Sequence, residues 1–220
     1  MKYTKKVGAG RRARMEGYKT VKKECSAEIE VKRSRFIATV CPCETEGEAT
    51  DFIARMRKKY WDARHNVYAF SVRAQGTKRF SDDGEPHSTA GLPVMEVINH
   101  SGITDIAVVV TRYFGGIILG TGGLVRAYSE AARTVLKTAE IETILAAKKF
   151  KISCDYGYYE PLLKVLEGFE AKIIDTDFSQ NVTVTVAVKS ELYSDLFLKC
   201  TDKFCARLAF TDLEEVFMGF

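Results

Sequence analysis

The sequence predicts an α+β protein of two domains, and three observations support this fold class. The chain has 220 residues, which is long enough for two modest domains with buried cores. Segments with alternating apolar residues are interspersed with segments that have helical apolar spacing. This succession starts again after Ile144. We therefore expect domains at residues 15–144 and 145–220, preceded by a separate basic segment at 1–14.

The first domain is predicted to alternate between strands and helices. Strands are predicted where apolar residues alternate or run together, and helices where they recur at i, i+3 and i+4. Thr45 and Glu48 form the signature of a capping box at the start of the first helix. In chain order, we expect strands at 19–29 and 35–43, a helix at 45–60, a strand at 67–72, a polar loop at 75–91, a helix through 95–98, a strand at 105–111 and a helix at 122–139.

The most informative segment spans residues 111–128, directly after the apolar run IAVVV. Glycine at such density costs backbone entropy on folding, so it indicates positive φ angles or the close approach of another group. The order of strand, glycine loop and helix leaves N–H groups unpaired at the positive end of the helix dipole, which suits an anion. The residues that we expect to bind RNA, an anion or a partner are Arg112, Tyr113, Phe114, Gly115, Gly116, Gly120, Gly122, Gly123, Arg126 and Tyr128.

Arg112 and Arg126 place two guanidinium groups where they can converge on a phosphate or a carboxylate. The alternative is that the glycines only allow tight packing and that the arginines form surface ion pairs. The segment lacks the Gly-Lys-Ser/Thr ending of a P-loop, and its glycine spacing does not match the dinucleotide-binding fingerprint. The sequence therefore predicts a binding loop that belongs to neither of these nucleotide-binding classes.

The second domain is predicted to have the order βαββαβ. This order is that of a ferredoxin-like fold, a topology that serves many unrelated functions. The expected elements are strands at 149–154, 171–177, 181–189 and 210–217, with helices at 159–166 and 192–208.

The charge of the chain lies mainly in its first residues. Residues 1–14 carry six basic side chains and no acidic one, whereas the remainder has 27 basic and 29 acidic residues. We expect a disordered extension there, with contact to nucleic acid or a natural start at Met15 as alternatives. No apolar run approaches the length of a membrane span, and no apolar stretch of a signal peptide follows the basic residues. We therefore expect a cytoplasmic protein.

The six cysteines form neither a paired zinc framework nor a dense disulfide pattern, so reduced thiols are expected. No serine lies in the sequence context of a nucleophile elbow. We assign no catalytic residue, no metal and no cofactor from the sequence. Enzyme activity is accordingly the less favoured interpretation.

A second motif loop is rich in acidic residues. It could hold Mg²⁺ or supply an acid and a base, but Asp-Gly and Glu-Pro are strong turn signals, so a structural or docking role is favoured. His65 and His100 are interpreted as residues that cap or pack at the ends of helices. The loop residues that we single out are Arg79, Ser81, Asp82, Asp83, Glu85, His87 and Thr89.

Four separated runs, RFSDDGEP (79–86), TAG (89–91), VVVTRYFGG (108–116) and LGTGGLVRAY (119–128), together resemble the YigZ/IMPACT family. The resemblance covers about residues 15–140, and the βαββαβ segment is similar to the accessory domain of bacterial members. One departure is the pair His87-Ser88, where a small residue and then glycine are expected. This departure leaves the backbone conformation of the loop open, but it does not change the family assignment.

The resemblance implies an N-terminal domain similar to the second domain of ribosomal protein S5 and to domain IV of elongation factor G. The C-terminal domain is similar to domain V of that factor. Eukaryotic members of the family restrain a kinase of initiation factor 2 by binding the activator of that kinase. These likenesses imply a partner such as the ribosome, structured RNA or a translation-linked protein.

Two functions of different classes follow from these observations. The first is a translation-associated binding or regulatory protein, in which the arginines and aromatic residues of the glycine loop contact RNA or a partner. The second is a phosphate- or nucleotide-binding enzyme that uses the glycine loop at a helix N-terminus. The sequence leaves open whether the two motif loops meet in space.

Overall fold

The computed structural model describes residues 17–74 and 76–220, so the basic segment 1–14 lies outside the described residues. Contacts divide the described chain into two compact units, Tyr18–Thr143 and Ile144–Phe220. Each unit contains a sheet and helices. The α+β, two-domain fold class predicted from the sequence is confirmed.

The first unit combines strands and three helices. Its main sheet has the order β2-β3-β6-β4-β5, and every neighbouring pair in it is antiparallel. The strands are β1 (Tyr18–Val21), β2 (Cys25–Val31), β3 (Ser34–Pro42), β4 (His65–Val72), β5 (Thr77–Ser81) and β6 (Ile106–Tyr113), and the helices are α1 (Glu46–Lys59), α2 (Gly91–Ser101) and α3 (Thr121–Thr138).

The central strand β6 is buried on both faces, which explains its continuous apolar sequence. Val108 and Val110 belong to the core that α2 and α3 cover, whereas Ala107 and Val109 belong to the core that α1 covers. Burying one valine side chain stabilises a fold by about 1.5–3 kcal/mol, so both layers of helices hold this strand in place. The sheet is therefore a rigid support for the loops at its edges.

The start of α1 agrees with the predicted capping signal. The hydroxyl of Thr45 accepts a hydrogen bond from the backbone N–H of Glu48, at 3.2 Å. The Glu48 carboxylate reaches back to the N–H of Glu44, at 2.8 Å, one residue earlier than in a regular capping box. The side chains therefore satisfy two backbone donors at this helix start.

The prediction of a polar loop at 75–91 was wrong for its first part. Residues Thr77–Ser81 form β5, which pairs with β4 at the edge of the sheet. Lys78, Arg79 and Phe80 are exposed, so the strand shows no alternation of buried and exposed residues that a sequence pattern could reveal. Its pairing with β4 decides its conformation, because local preferences for strands are weak.

The second unit has the predicted order βαββαβ. Its antiparallel sheet has the order β10-β7-β9-β8, and its core includes Phe150, Ile152, Leu162 and Leu196. The elements are β7 (Ile141–Cys154), α4 (Tyr156–Gly168), β8 (Lys172–Phe178), β9 (Val182–Lys189), α5 (Tyr193–Lys203) and β10 (Ala209–Gly219).

Across residues 17–74 and 76–220, the structure has no helix that combines the length and the apolar character of a membrane span.

Candidate functional site

The two motif loops meet at one pocket of the first unit. The pocket has a volume of about 490 Å³ and combines residues of the second motif loop (82–90, the acidic loop) with residues of the glycine loop. Neighbouring strands explain this meeting, since His65 of β4 lies directly opposite Arg112 of β6. The pocket is lined by Arg64, His65, Gly84, Glu85, Pro86, Arg112, Phe114, Ile118, Leu119, Gly120, Thr121 and Leu124.

A buried ion pair forms part of the pocket wall. Nη1 of Arg112 donates to Oε1 of Glu85 at 2.6 Å, and the hydroxyl of Tyr128 donates to the same oxygen at 2.8 Å. The side chains of Arg112 and Glu85 are only 8% and 4% exposed. Burial, together with the negative charge of Glu85, raises the pKa of the Tyr128 phenol far above its usual value. Tyr128 therefore remains a neutral hydrogen-bond donor.

Arg112 has more donors than the described residues use. Its Nε is fully buried and has no hydrogen-bond partner among the described residues. The guanidinium lies 5.5 Å from the ring centre of Phe36 and 5.7 Å from that of Phe114, within the range of cation–π contacts. An arginine has five N–H donors in a planar fork, and Glu85 accepts a hydrogen bond from one terminal nitrogen of this one.

His65 is a pocket residue that the sequence interpretation missed. Its Nδ1 lies 2.8 Å from the carbonyl oxygen of Asp83, and because a carbonyl can only accept, Nδ1 carries the hydrogen. In the neutral ring, Nε2 is then an acceptor, and it lies 3.9 Å from Oε1 of Glu85. The pairing of β4 with β6, which a single sequence does not give, places His65 beside Arg112.

Asp82 and Asp83 organise the acidic loop. The Asp82 carboxylate accepts from the N–H groups of Ser88, Ala90 and Gly91, at 2.8–3.1 Å, and so caps the start of α2. These contacts use both of its oxygens. Asp82 therefore acts as a structural residue of the loop.

The Asp83 carboxylate accepts from the backbone N–H of Asn66 and from Arg57, both at 2.7 Å. Within residues 17–74 and 76–220, no group of three or more His, Cys, Asp or Glu side chains is arranged to hold a metal ion. The acidic residues that could have held Mg²⁺ instead hold the loop together.

Ser88 occupies the position where the resemblance leads us to expect glycine. It adopts a φ of +58°, in the left-handed region that glycine favours. The hydrogen bond from its N–H to Asp82 holds this conformation. Ser88 therefore has a glycine-like backbone at the position where the resemblance leads us to expect glycine.

Backbone geometry explains most glycines of the glycine loop. Gly116 and Gly120 have φ angles of +83° and +70°. A Cβ at Gly115 would lie 2.0 Å from the carbonyl carbon of Arg33, so no side chain fits there. A Cβ at Gly123 would lie 3.1 Å from Leu119, which is a tight contact. These four glycines allow the loop to turn and to pack closely.

The start of α3 lacks the features that stabilise a helix N-terminus. Its N-cap residue is Gly120, which offers no side chain to accept a hydrogen bond, and its first turn contains no acidic residue. The first N–H groups of a helix have no partner within the helix. Gly120 and Thr121 line the pocket, so this helix start lies at the pocket wall.

Other predicted residues of the glycine loop are spread around the pocket. Phe114 lines it and is 51% exposed. The hydroxyl of Tyr113 donates to Asp62 at 2.8 Å. Arg126 is exposed on α3 and does not line the pocket, whereas Arg112 is buried against Glu85. The structure thus does not show the expected convergence of the two arginines.

The remaining residues of the second motif have structural contacts or face solvent. Arg79 pairs with Glu46 at 2.8 Å. The Ser81 hydroxyl accepts from the N–H of Asp83 at 3.2 Å, and the Thr89 hydroxyl donates to the carbonyl of Pro86 at 2.6 Å. His87 is exposed. Glu85 is thus the acidic residue of this motif that lines the pocket, and its side chain is buried.

Comparisons with known proteins match both units. The family model of the Impact N-terminal domain matches residues 32–136, and that of a domain of unknown function, DUF1949, matches residues 152–196. An IMPACT family member of Haemophilus influenzae is 34% identical over 204 residues, which are 91% of this chain and 98% of that protein. The chain belongs to the IMPACT family. The family predicted from the sequence motifs is confirmed.

Other IMPACT family proteins match different shares of the chain. Escherichia coli YigZ is 32% identical over 189 residues, covering 84% of this chain and 93% of YigZ. Protein IMPACT of Bos taurus is 34% identical over 98 residues, covering 40% of this chain and 29% of that protein. A solved structure described as "Crystal structure of an hypothetical protein" matches with a TM-score of 0.59 and 30% identity, covering 91% of this chain and 98% of that one.

Proposed function

We propose that this IMPACT family protein is a cytoplasmic, translation-associated binding or regulatory protein that contacts structured RNA, and the ribosome in particular, through the pocket between its motif loops. One observation carries the proposal. The pocket places the cationic Arg64 and Arg112 beside the exposed Phe114 and Ile118. Guanidinium groups bind phosphates and aromatic rings stack on bases, so this combination suits a nucleotide of an RNA strand.

The charge distribution favours a local contact over a general attraction to nucleic acid. Beyond residue 14, acidic residues slightly outnumber basic ones, 29 to 27. A protein that neutralises few phosphates loses little affinity as salt rises. We therefore expect ribosome binding by the folded units to weaken only moderately across a salt series.

Sedimentation of the purified protein with ribosomes across a salt series tests the proposal. We expect Phe114→Ala and Arg64→Gln to weaken co-sedimentation, by about 5- to 100-fold for the loss of one stacked base. Both side chains are exposed, so the fold should survive their replacement. Arg126→Ala is the matched control, because Arg126 is exposed but lies outside the pocket wall. The proposal would be refuted if both pocket variants co-sedimented with ribosomes as strongly as the unmodified protein.

Deletion of residues 1–14 separates the pocket from the basic segment. Binding that persists without the segment supports recognition by the folded units. Binding that disappears with it indicates a non-specific attraction between the basic segment and the ribosome, and contradicts the proposal.

The alternative function, a phosphate- or nucleotide-binding enzyme, is favoured by one observation, the uncapped start of α3 at the glycine loop. The hydrogen bonds of Asp82 and Asp83 count against a metal-dependent reaction. Thermal shift with nucleotides, with and without Mg²⁺, checks this alternative. A shift that requires Mg²⁺ would support it over the binding protein.

A further inference from the structure

An exposed tryptophan lies in the turn between α1 and β4. Trp61 is 82% exposed, whereas the preceding Tyr60 packs against the core that α1 covers. Within residues 17–74 and 76–220, the indole of Trp61 makes no contact with another ring or with a cation. Tryptophan is highly buried on average in folded proteins and is enriched at interfaces. A ring in this position therefore indicates contact with a second molecule.

The turn that carries Trp61 is held at the end of β6, where the glycine loop begins. The hydroxyl of Tyr113 donates to Oδ1 of Asp62 at 2.8 Å. Phe114, the next residue after Tyr113, lines the pocket, and so does Arg64. Three residues of chain span at most about 11 Å, so the Cα atoms of Trp61 and Arg64 lie within that distance. Trp61 is therefore close to the pocket wall.

The charges around Trp61 favour a nucleic acid over a protein as the molecule that covers it. Lys58, Lys59 and Arg64 are exposed and form no ion pair with any described residue. The carboxylate of Asp62 already accepts a hydrogen bond within the protein. The core of a protein interface is depleted of charged residues. Proteins that bind single-stranded nucleic acids instead combine aromatic rings with cations along the backbone of the strand.

Part of this positive charge has a structural explanation. Lys58 and Lys59 lie in the last turn of α1, where the helix dipole favours cations. Arg64 lies beyond the helix and in the pocket wall, so the dipole does not explain it. Trp61 and Arg64 are thus two neighbouring exposed groups that the fold itself does not require.

We infer that Trp61 is a second stacking residue, which binds an unpaired base of the RNA strand that enters the pocket. Arg64, which lies between Trp61 and the pocket, contacts a phosphate of the same strand. Successive nucleotides of a stacked strand are about 3.4 Å apart along its axis, so a segment of about three nucleotides spans the separation. Paired bases hide their faces inside a duplex, so the protein recognises a loop, a bulge or an end of structured RNA. The strand's entry into the pocket rests on the proposed function.

Intrinsic fluorescence tests the inference, because Trp61 is the single tryptophan of the chain. Stacking on a base quenches the emission of indole. We expect hexaadenylate RNA to quench the emission of the full chain in a saturable manner, and an abasic oligonucleotide of the same length to leave it unchanged. Non-specific binding has dissociation constants of about 10⁻⁴–10⁻⁶ M. Equal quenching by both oligonucleotides would overturn the inference, and so would the absence of quenching at about 1 mM RNA, above that range.

Three substitutions of Trp61 separate stacking from general apolar contact. The affinity for labelled hexaadenylate is measured by fluorescence anisotropy of the label. Trp61→Ala should weaken it by about 5- to 100-fold, the effect of losing one stacked base. Trp61→Leu keeps an apolar side chain without an aromatic face and should weaken it similarly, whereas Trp61→Phe should retain most of the affinity. Equal affinities of Trp61→Leu and Trp61→Phe would contradict stacking and refute the inference.

Leu198→Ala is the matched control for Trp61→Ala. Leu198 is an apolar residue of α5 in the second unit and is 59% exposed. We expect unchanged affinity for hexaadenylate in this variant. A loss equal to that of Trp61→Ala would show a general effect of removing an exposed apolar side chain, and the inference would fail.

Arg64→Gln tests the contact with a phosphate. The slope of log affinity against log salt concentration should become shallower by about 0.7, the value for one phosphate of a single strand. Trp61→Phe should keep the slope of the unmodified protein, because it changes no charge. An unchanged slope in Arg64→Gln would refute the role of Arg64.

Ribosome sedimentation is scored separately and distinguishes the two proposals. Quenching by RNA in a protein that does not sediment with ribosomes refutes only the proposed function. Sedimentation that is lost in Phe114→Ala, without any response of the Trp61 emission to RNA, refutes only the inference. If Trp61→Ala abolishes sedimentation while no oligonucleotide changes the emission, Trp61 contacts a ribosomal protein, and the inference is overturned.

Discussion

The starts of α1 and α3 have opposite designs. Thr45 caps α1, and its first turn carries Glu46 and Glu48. The helix α3 starts with Gly120 and Thr121, without a side-chain cap and without an acidic residue in its first turn. The features of α1 stabilise a helix, whereas those of α3 leave its N–H groups accessible at a pocket. The comparison shows that a helix start without stabilising side chains can lie at a pocket, where its N–H groups are accessible to a ligand.

The largest expected effect concerns the buried Arg112–Glu85 ion pair of the pocket wall, which also contacts α3 through Tyr128. Glu85→Ala leaves Arg112 buried without a counter-charge, and we expect a loss of about 3–5 kcal/mol of unfolding free energy in urea denaturation. Arg133→Ala is the control, because its pair with Glu130 is about half exposed and should contribute roughly 0–1 kcal/mol. A similar small loss in both variants would show that the buried pair does not support α3.

The cap of α1 should have the next largest effect. Thr45→Ala removes the acceptor for the N–H of Glu48, and we expect a loss of about 0.5–2 kcal/mol in the same measurement. If the unfolding free energy of Thr45→Ala equalled that of the unmodified protein, the cap would not stabilise α1. The contrast between the starts of α1 and α3 would then lose its basis.

The opposite sign is expected at α3. Thr121→Asp adds the charge that α3 lacks, and we expect a gain of about 0.3–1 kcal/mol in unfolding free energy at low salt. The gain should shrink at high salt because the interaction is screened. A loss of stability would mean that the start of α3 is already optimal, which would remove the basis of the contrast with α1.

The smallest effect concerns an ion pair between Arg55 of α1 and Glu24, which precedes β2, and it depends on pH. Hydrogen bonding to Arg55 lowers the pKa of Glu24 below its usual value, although partial burial opposes this. A lowered folded-state pKa gives stability that is present above the unfolded-state pKa and is lost as pH falls through the folded-state value. Glu24→Gln should therefore lower the melting temperature slightly at pH 7 and have no effect near pH 2. An equal difference at both pH values would contradict this cause.

The sequence predicted elements with strong local signals. The capped start of α1, the βαββαβ order and the strand, glycine loop and helix around residue 115 are present in the structure. Local residues decide these features, through capping chemistry, apolar periodicity and glycine content. The family could also be predicted, because each of its motifs is a contiguous run of residues.

Contacts across the sheet could not be predicted. Glu85 meets Tyr128 although 43 positions separate them, and His65 lies opposite Arg112 because β4 pairs with β6. Sheet order and register decide the second contact, and the packing of the acidic loop against α3 decides the first. A single sequence states neither. Arg126 shows the same limit, since its position on the exposed side of α3 depends on which face of the helix packs.

The carboxylate of Asp82 has a consequence for the speed and the entropy of ligand association. It binds the N–H groups of Ser88, Ala90 and Gly91, so it closes the acidic loop and joins it to the start of α2. A loop that is already tied has little freedom left to lose when a ligand arrives. Association should then proceed in a single kinetic phase without a slow rearrangement, and the entropy lost on binding should come mainly from the ligand.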